Sequence, residues 1–483
     1  MKTIRAKKTV LSHLAPDRIA QSCQGIVLRG GMAPRGVSTD TRTLYVDDLY
    51  VALKGDRFDG HRFVEEAFAR GARGALISEA MPELLRSRLP DKKFVVQVPS
   101  TSEALMQLAR IHRDRCPMKV VGITGSCGKT STKDILTHVL RSRRQAVGSP
   151  KSFNNAVGVP LTLFQATENT EIAVVEMGTN RPGEIKQLTD TARPDGAIVT
   201  SVFASHLEML GSVEGVAREK ASLIEGLPRG GFAILNADNP HVADMARLTQ
   251  ARVVRVSVEG PGDLVATEVK FNCLGTTFLL DGRIRVTIPR LGTHNVTNTL
   301  CALAAARELG VTLEDAVQGL HGLPPTDRRF EPRKCGPVVV YDDSYNMNPG
   351  SAKAALQAFH GLAGTGRKVV VFGDMLELGE LSDALHYEVG RELGALGFDH
   401  LVATGQRARV MAEGAMAAGM PAARVTTTLD RDAATEVLLG ILGDGDRVLV
   451  KASRRMELDR LVERVATHFG QSGRGLPGVE VCA

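Results

Sequence analysis

From Lys119 onward, short apolar runs alternate with amphipathic stretches. Val120, Val121 and Ile123 make a run the length of one buried strand, and Ile135, Leu136, Val139 and Leu140 then recur at the spacing of a helix face. Further apolar runs at 172–177, 197–202, 232–235 and 253–258 continue the alternation, which predicts a parallel sheet with helices on both faces. Between 260 and 290 the period changes. Val265, Val269, Phe271, Thr277, Phe278, Leu280, Ile284, Val286 and Ile288 follow a two-residue repeat, the mark of an antiparallel insertion. A helix is expected over 295–309, closed by Gly310.

The alternation restarts near Arg328, with apolar runs at 338–341, 369–372, 401–403 and 448–450, and predicts a second nucleotide-type fold. Before Lys119, shorter runs at 49–53, 74–77 and 94–98 mix with helical stretches. The expected architecture is α/β in three domains: a smaller N-terminal α/β domain over 1–115, a central parallel-sheet domain over 116–327, whose P-loop ATPase character rests on the motif and the resemblance given below, and a C-terminal Rossmann-like domain over 328–483. A chain of 483 residues, about three times a ~150-residue domain, suits two or three cores. Hinges are expected at 115–117 and 324–327, and the Gly/Ser-rich tail 471–483 is expected to fray.

Composition narrows the class. No apolar run reaches the ~18 residues of a membrane span, and the charged start MKTIRAKKTV is unlike a signal peptide. The seven cysteines are scattered, with no C-x-x-C pair, so neither a disulfide framework nor a zinc ribbon is expected and a reducing cytoplasm fits. Residues 1–115 hold 20 Lys+Arg against 13 Asp+Glu, an excess of seven positive charges in a chain of net charge +6. That excess suits a phosphorylated or carboxylated ligand, and equally a solubilising surface. With aromatics at 4% and no Trp, a nucleic-acid surface is not expected.

The sharpest chemical signal is Thr124-Gly125-Ser126-Cys127-Gly128-Lys129-Thr130-Ser131, in which a strand meets a Gly-rich turn and a helix follows. Backbone N–H groups at such a helix start point outward and wrap phosphate oxygens. Lys129 is placed to reach the β/γ-phosphates and the Thr130 hydroxyl a magnesium ion. Five residues separate Gly122 from Gly128, one more than in the standard P-loop. Farther on, Glu176 ends an apolar run at the sheet edge where open α/β folds bind ligands, and a hard cation prefers such a carboxylate. Asn295 and Asn298 share one helix face, with His294 one turn from Asn298.

These motifs together resemble the Mur ligase family, ATP-dependent amide-forming enzymes of peptidoglycan synthesis whose P-loop reads T-G-(S/T)-x-G-K-(T/S). The resemblance runs from about Gly36 to Ala466 and implies ATP and Mg2+ as cofactors. It implies that Gly125, Ser126, Cys127, Gly128, Lys129, Thr130 and Ser131 hold the nucleotide phosphates. Thr130, Glu176, His206 and Lys220, the last as a carbamate, would hold metal, and Lys129, Glu176, His206 and Lys220 would form the catalytic group. His294, Asn295 and Asn298 would hold the adenine, Arg329 a phosphate, and Asp343 the ribose. For Arg329, the neighbouring Arg328 leaves the register open by one residue.

Asp342-Asp343-Ser344-Tyr345-Asn346-Met347-Asn348-Pro349, Gly373-Asp374-Met375-Leu376-Glu377-Leu378-Gly379 and His386 resemble the branch of the family that acts on D-alanyl-D-alanine. The implied partners are therefore a UDP-N-acetylmuramoyl-tripeptide and D-alanyl-D-alanine, joined by a cytoplasmic monomer that closes its third domain over the site. Tyr345 and Asn346, with Asn154 and Asn155 of the segment 152–160, would contact substrate. Ser38, Asp40, Thr41, Arg42 and Lys54, in the segments 37–42 and 53–61, would bind the UDP end. Two positions depart from the pattern: Ala452 stands where relatives carry glycine in Lys451-Ala452-Ser453-Arg454, and Cys127 lies inside the P-loop. The rivals are the family member that adds the third residue of the peptide, whose diaminopimelate-type members carry an Asp-Asn-Pro-Arg box that is absent here, and a catalytically silent Mur-fold binding module.

Overall fold

A computed structural model describes residues 10–55, 58–83, 87–272 and 275–474. Asp56 and Arg57 of the segment 53–61, Cys273, Cys482 and the tail beyond 474 lie outside the described residues. Three sheets account for the apolar runs. In the first, strands Gly36–Ser38, Asp48–Val51, Gly74–Ile77 and Phe94–Gln97 run parallel, and Ile26–Arg29 joins antiparallel at the edge. Asp48–Val51 and Gly74–Ile77 are buried along their whole length, as continuous apolar runs in a parallel sheet should be.

The second sheet has nine strands. Its parallel part places Lys119–Thr124 between Ile172–Glu176 and Gly196–Val199, so the strand feeding the P-loop is central. The two-residue repeat becomes three antiparallel-linked strands, Leu264–Asn272, Gly275–Leu280 and Ile284–Ile288, at the far edge. Helix Thr293–Glu308 is apolar nearly all round: Leu300 to Ala306 are each fully buried, as in a helix enclosed on every side. Its small side chains admit the P-loop helix Lys129–Arg141 into the same core. In the third sheet the parallel order is Val425–Thr428, His400–Thr404, Lys368–Gly373, Arg447–Lys451 and Val338–Asp342, with Glu331–Cys335 antiparallel at the end. Residues 471–474, expected to fray, instead pair with that edge strand, because a sheet edge offers unpaired N–H and C=O groups.

The first junction is tighter than a free hinge. Helix Thr101–Arg115 starts at Ser100, whose hydroxyl accepts from the Glu103 N–H at 3.3 Å. Near its end Arg113 donates to the Ala192 carbonyl at 3.2 Å and to Asp195 at 2.9 Å. The helix before the expected pivot at 115–117 is thus itself anchored to the central sheet. Buried His112 lies 3.1 Å from the Ala166 carbonyl through Nε2 and 3.0 Å from His13 Nε2 through Nδ1. A carbonyl only accepts, so His112 carries its proton on Nε2, and its Nδ1 accepts from His13. The stacked rings, 5.1 Å between centroids, therefore pair as neutral imidazoles.

Burial, and then the neighbouring His112, hold His13 down from 6.5 to about 4. The unfolded chain consequently takes up this proton first, and stability should fall as pH drops from about 6.5 toward 4. Denaturant titrations across that window should show a shallower fall in His13→Gln; equal slopes would mean that the pair does not carry the effect.

Candidate active site

The P-loop is shaped by contacts no larger residue would permit. Gly128 has φ +84° and seats directly against Asn298, such that an added Cβ would lie 2.3 Å from Asn298 Oδ1. Thr132 donates to the same oxygen at 3.3 Å. Asn295 donates to the Leu291 carbonyl at 2.8 Å and meets His294 Nε2 at 3.1 Å. Both asparagines are buried, and the Asn298 amide braces the turn, while half-buried His294 faces the cleft. Ser126 donates to the Phe203 carbonyl at 3.0 Å, Cys127 N–H to Ser201 Oγ at 3.1 Å. The loop's ends are thereby fixed, with Lys129 and Thr130 opening the helix at the cleft floor.

Charged groups converge there. Glu176 is 1% exposed; its Oε1 accepts from Asn154 Nδ2 at 2.8 Å, and among the described residues its Oε2 has no hydrogen-bond partner. An open carboxylate oxygen in a buried setting calls for a cation. Lys129 donates to the Gly125 carbonyl at 2.6 Å. Desolvation lowers its pKa, and the nearby Glu176 charge opposes that fall. Lys220, on helix Val213–Glu225, is 2% exposed, and desolvation followed by repulsion from Lys129 brings it down to about 7. Its neighbour Glu219, not singled out by sequence, accepts from the Gly183 and Ile185 N–H groups at 2.7 Å each and ties this helix to the loop beside the cleft.

The C-terminal sheet supplies the opposite wall. Arg329 donates to Thr130 Oγ1 at 3.2 Å and lies over the Tyr345 ring at 4.0 Å, whereas Arg328 turns away to Asp459 at 2.7 Å. The open register between the two arginines is thus resolved in geometry: Arg329 enters the cleft. Asp343 accepts from Lys451 at 2.6 Å and from the Phe330 N–H at 3.2 Å. Asn346 and Asn155 are exposed at the rim. Ala452 is not among the positive-φ residues, and its methyl occupies space that Gly373 leaves free, since a Cβ on Gly373 would lie 2.7 Å from it. Alanine is therefore accommodated at this position without left-handed backbone strain. Ser453 accepts from the Leu376 N–H at 2.8 Å, and buried His386 accepts from the Met375 N–H at 2.9 Å. Both roles are architectural.

His206 crosses between the domains, its Nδ1 2.6 Å from Glu377 Oε2. This hydrogen bond, first of all, holds the Glu377 carboxyl below its usual range. The cleft enclosed by these walls measures about 890 Å³, enough for a nucleotide and a second ligand. The N-terminal candidates are not among its lining residues. Ser38 donates to the Asp40 carbonyl at 3.0 Å, Asp40 pairs with Arg42 at 2.7 Å, Thr41 is buried, and Lys54 pairs with Glu79 at 2.6 Å. They lie on or beside the first sheet.

A P-loop in a parallel sheet, facing a second α/β domain across a charged cleft, defines a nucleotide-dependent enzyme of the Mur type, and the chain belongs to the Mur ligase family. Residues 34–113 match the Mur ligase family catalytic domain, 123–306 the Mur ligase middle domain and 328–454 the Mur ligase glutamate ligase domain. The chain is 38% identical over 434 residues to a UDP-N-acetylmuramoyl-tripeptide--D-alanyl-D-alanine ligase of Bacillus subtilis, covering 89% of this chain and 92% of that one. Its fold is similar to a crystal structure of MurF from Acinetobacter baumannii, with TM-score 0.85, 29% identity and coverage of 96% of this chain and 100% of that one. A MurF ligase from Thermotoga maritima solved with ADP superposes with TM-score 0.77 at 28% identity, covering 90% of this chain and 97% of that one.

Cys127 lines the cleft with its thiol 3.2 Å from Asn348 Oδ1 of the opposite wall. N-ethylmaleimide should inactivate the protein by filling this gap, ATP should slow the loss, and Cys127→Ser should resist it. Equal inactivation of the serine variant would place the sensitive thiol elsewhere.

Proposed function

We propose that this protein is an ATP-dependent ligase that joins D-alanyl-D-alanine to the terminal carboxylate of a UDP-N-acetylmuramoyl-tripeptide, releasing ADP and phosphate. What carries the reading is the meeting of the P-loop lysine with the half-open carboxylate of Glu176 in one interdomain cleft, in a chain so similar to a ligase of that name. A carboxylate is a poor acyl donor because oxide would have to leave. Its oxygen first attacks the γ-phosphorus of ATP and ADP departs, leaving an acyl phosphate. The dipeptide amine then attacks the acyl carbon, and collapse of the tetrahedral anion expels phosphate.

The residues divide this work by position. The P-loop N–H groups and Lys129 meet the phosphates, and Arg329 adds charge from the domain junction. Glu176 through its open oxygen, His206, the Thr130 hydroxyl and Lys220 as a carbamate are the groups that would hold magnesium, and its charge would neutralise the phosphates. Asn154 fixes Glu176 and, with Asn155, faces the acceptor. Tyr345 and Asn346 border the place of the dipeptide, His294 that of adenine, and Asp343 that of ribose, while Ser38, Asp40, Thr41, Arg42 and Lys54 take the UDP end. Seating of the C-terminal domain excludes water that would hydrolyse the acyl phosphate. One chain carries every group required, which suits a monomer. The five described cysteines are free, as suits the cytoplasm; among the described residues no helix is long and apolar enough to cross a membrane.

Phosphate release should appear with ATP, Mg2+ and UDP-N-acetylmuramoyl-tripeptide only when D-alanyl-D-alanine is added, and Lys129→Ala should lower it by at least about 10³-fold. Release with diaminopimelate or lysine and a dipeptide precursor would favour the preceding step instead, and no release at all would favour a binding module.

With its pKa near 7, Lys220 is largely ammonium at pH 6 and largely free amine at pH 8, and only the amine adds CO2. Activity should fall below pH 7 and recover in part with added bicarbonate. Lys220→Arg should be inactive at both pH values; activity indifferent to bicarbonate would argue against the carbamate.

A further inference from the structure

Glu377 has no part in the scheme above, yet it is held with unusual care. It follows strand Lys368–Gly373 on a loop pinned from two sides, where His386 takes the Met375 N–H at 2.9 Å and Ser453 takes the Leu376 N–H at 2.8 Å. Glu377 has φ +66° and His206, its partner across the cleft, φ +53°. Non-glycine residues seldom adopt this left-handed backbone, and when they do the surrounding structure must hold them there. A backbone contact, Glu208 N–H to the Glu377 carbonyl at 3.4 Å, runs beside the side-chain pair.

The 2.6 Å contact joins Glu377 Oε2 to Nδ1 of His206. Glu377 accepts, so a proton sits on Nδ1, and in the neutral imidazole the Nε2 lone pair is left for another partner. A carboxylate behind an imidazole fixes its tautomer and ring direction and makes the other nitrogen a better ligand. Here the carboxylate and the imidazole belong to different domains.

We propose that Glu377 is a positioning residue that orients His206 toward a divalent cation, so that the C-terminal domain completes the metal site when it seats on the central domain. The inference rests on the reading of His206 as a metal ligand. It makes phosphoryl transfer conditional on closure: with the C-terminal domain displaced, His206 loses its orienting partner and the site is short of one ordered ligand.

The test titrates Mn2+ into the full-length protein in the presence of a non-hydrolysable ATP analogue, following bound metal by electron paramagnetic resonance. Glu377→Ala should weaken Mn2+ binding by about 10–100-fold, and Glu377→Gln, whose amide oxygen still accepts from Nδ1, should restore it. His206→Ala should lose as much, and the double variant no more than either single one. Glu377 is 41% exposed in its side chain, and Glu377→Met, which keeps bulk without an acceptor, guards against a packing artefact by behaving as the alanine variant. Wild-type binding in Glu377→Ala, or losses that multiply in the double variant, would overturn the proposal. The titration needs no turnover, so a wild type that binds Mn2+ normally but forms no peptide bond would count against the ligase reading and not against this one.

Discussion

A buried carboxylate with one oxygen bonded and the other left open is stable only if positive charge reaches it. Glu176 is that group, and much of the cleft is arranged around it. Asn154 fixes its first oxygen, Lys129 lies within electrostatic reach, and Lys220 lies close enough to feel Lys129. Lys129 and Glu176 both line the cleft, whereas Lys220 is buried outside its lining. Under the proposed ligase reading, anionic phosphate and a divalent cation would complete this charge arrangement.

The fold serves this arrangement by bringing distant segments to one edge. The P-loop strand is central in its sheet, so its turn is flanked by Glu176 from one neighbouring strand and by Thr200 and Ser201 after the other. The alanine-rich helix packs beneath the P-loop helix and presents Asn298 to Gly128. The C-terminal domain reaches the site with side chains of its own, including Arg329 on Thr130, Asn348 on Cys127 and Glu377 on His206. The remote N-terminal sheet contributes none of the lining residues of this cleft. It is joined to the central domain by a helix anchored on both sides.

What could be read from the chain beforehand follows from range. Strand and helix alternation, the antiparallel insertion and the P-loop are local patterns, and each appears in the structure near its expected place, although in the first strand of the insertion Leu264 and Ala266 face the core rather than Val265 and Phe271. Contacts between residues far apart in sequence have no local signature. The Glu377–His206 pair spans 171 positions, and the burial that depresses Lys220 comes from tertiary packing. The two asparagines after His294 illustrate the same limit: their spacing gives the shared face, but only the packed structure shows the Asn298 amide directed at the P-loop and the Asn295 amide at Leu291. Arg328 and Arg329 are equivalent as letters and opposite in direction. The strand at 471–474 was hidden because pairing at a sheet edge needs little from the side chains. Ala452 departs from the family glycine as a letter, and what accommodates its methyl lies 79 residues away in the bare Cα of Gly373.

The central claim is that this cleft transfers a phosphoryl group to a carboxylate before any amide forms. It is tested most directly with a tripeptide precursor carrying 18O in its terminal carboxylate, by mass analysis of the phosphate released in the presence of ATP and dipeptide. The account predicts one 18O atom in each phosphate, because the oxygen that attacks phosphorus leaves with it. Phosphate free of label, formed together with the peptide product, would contradict it.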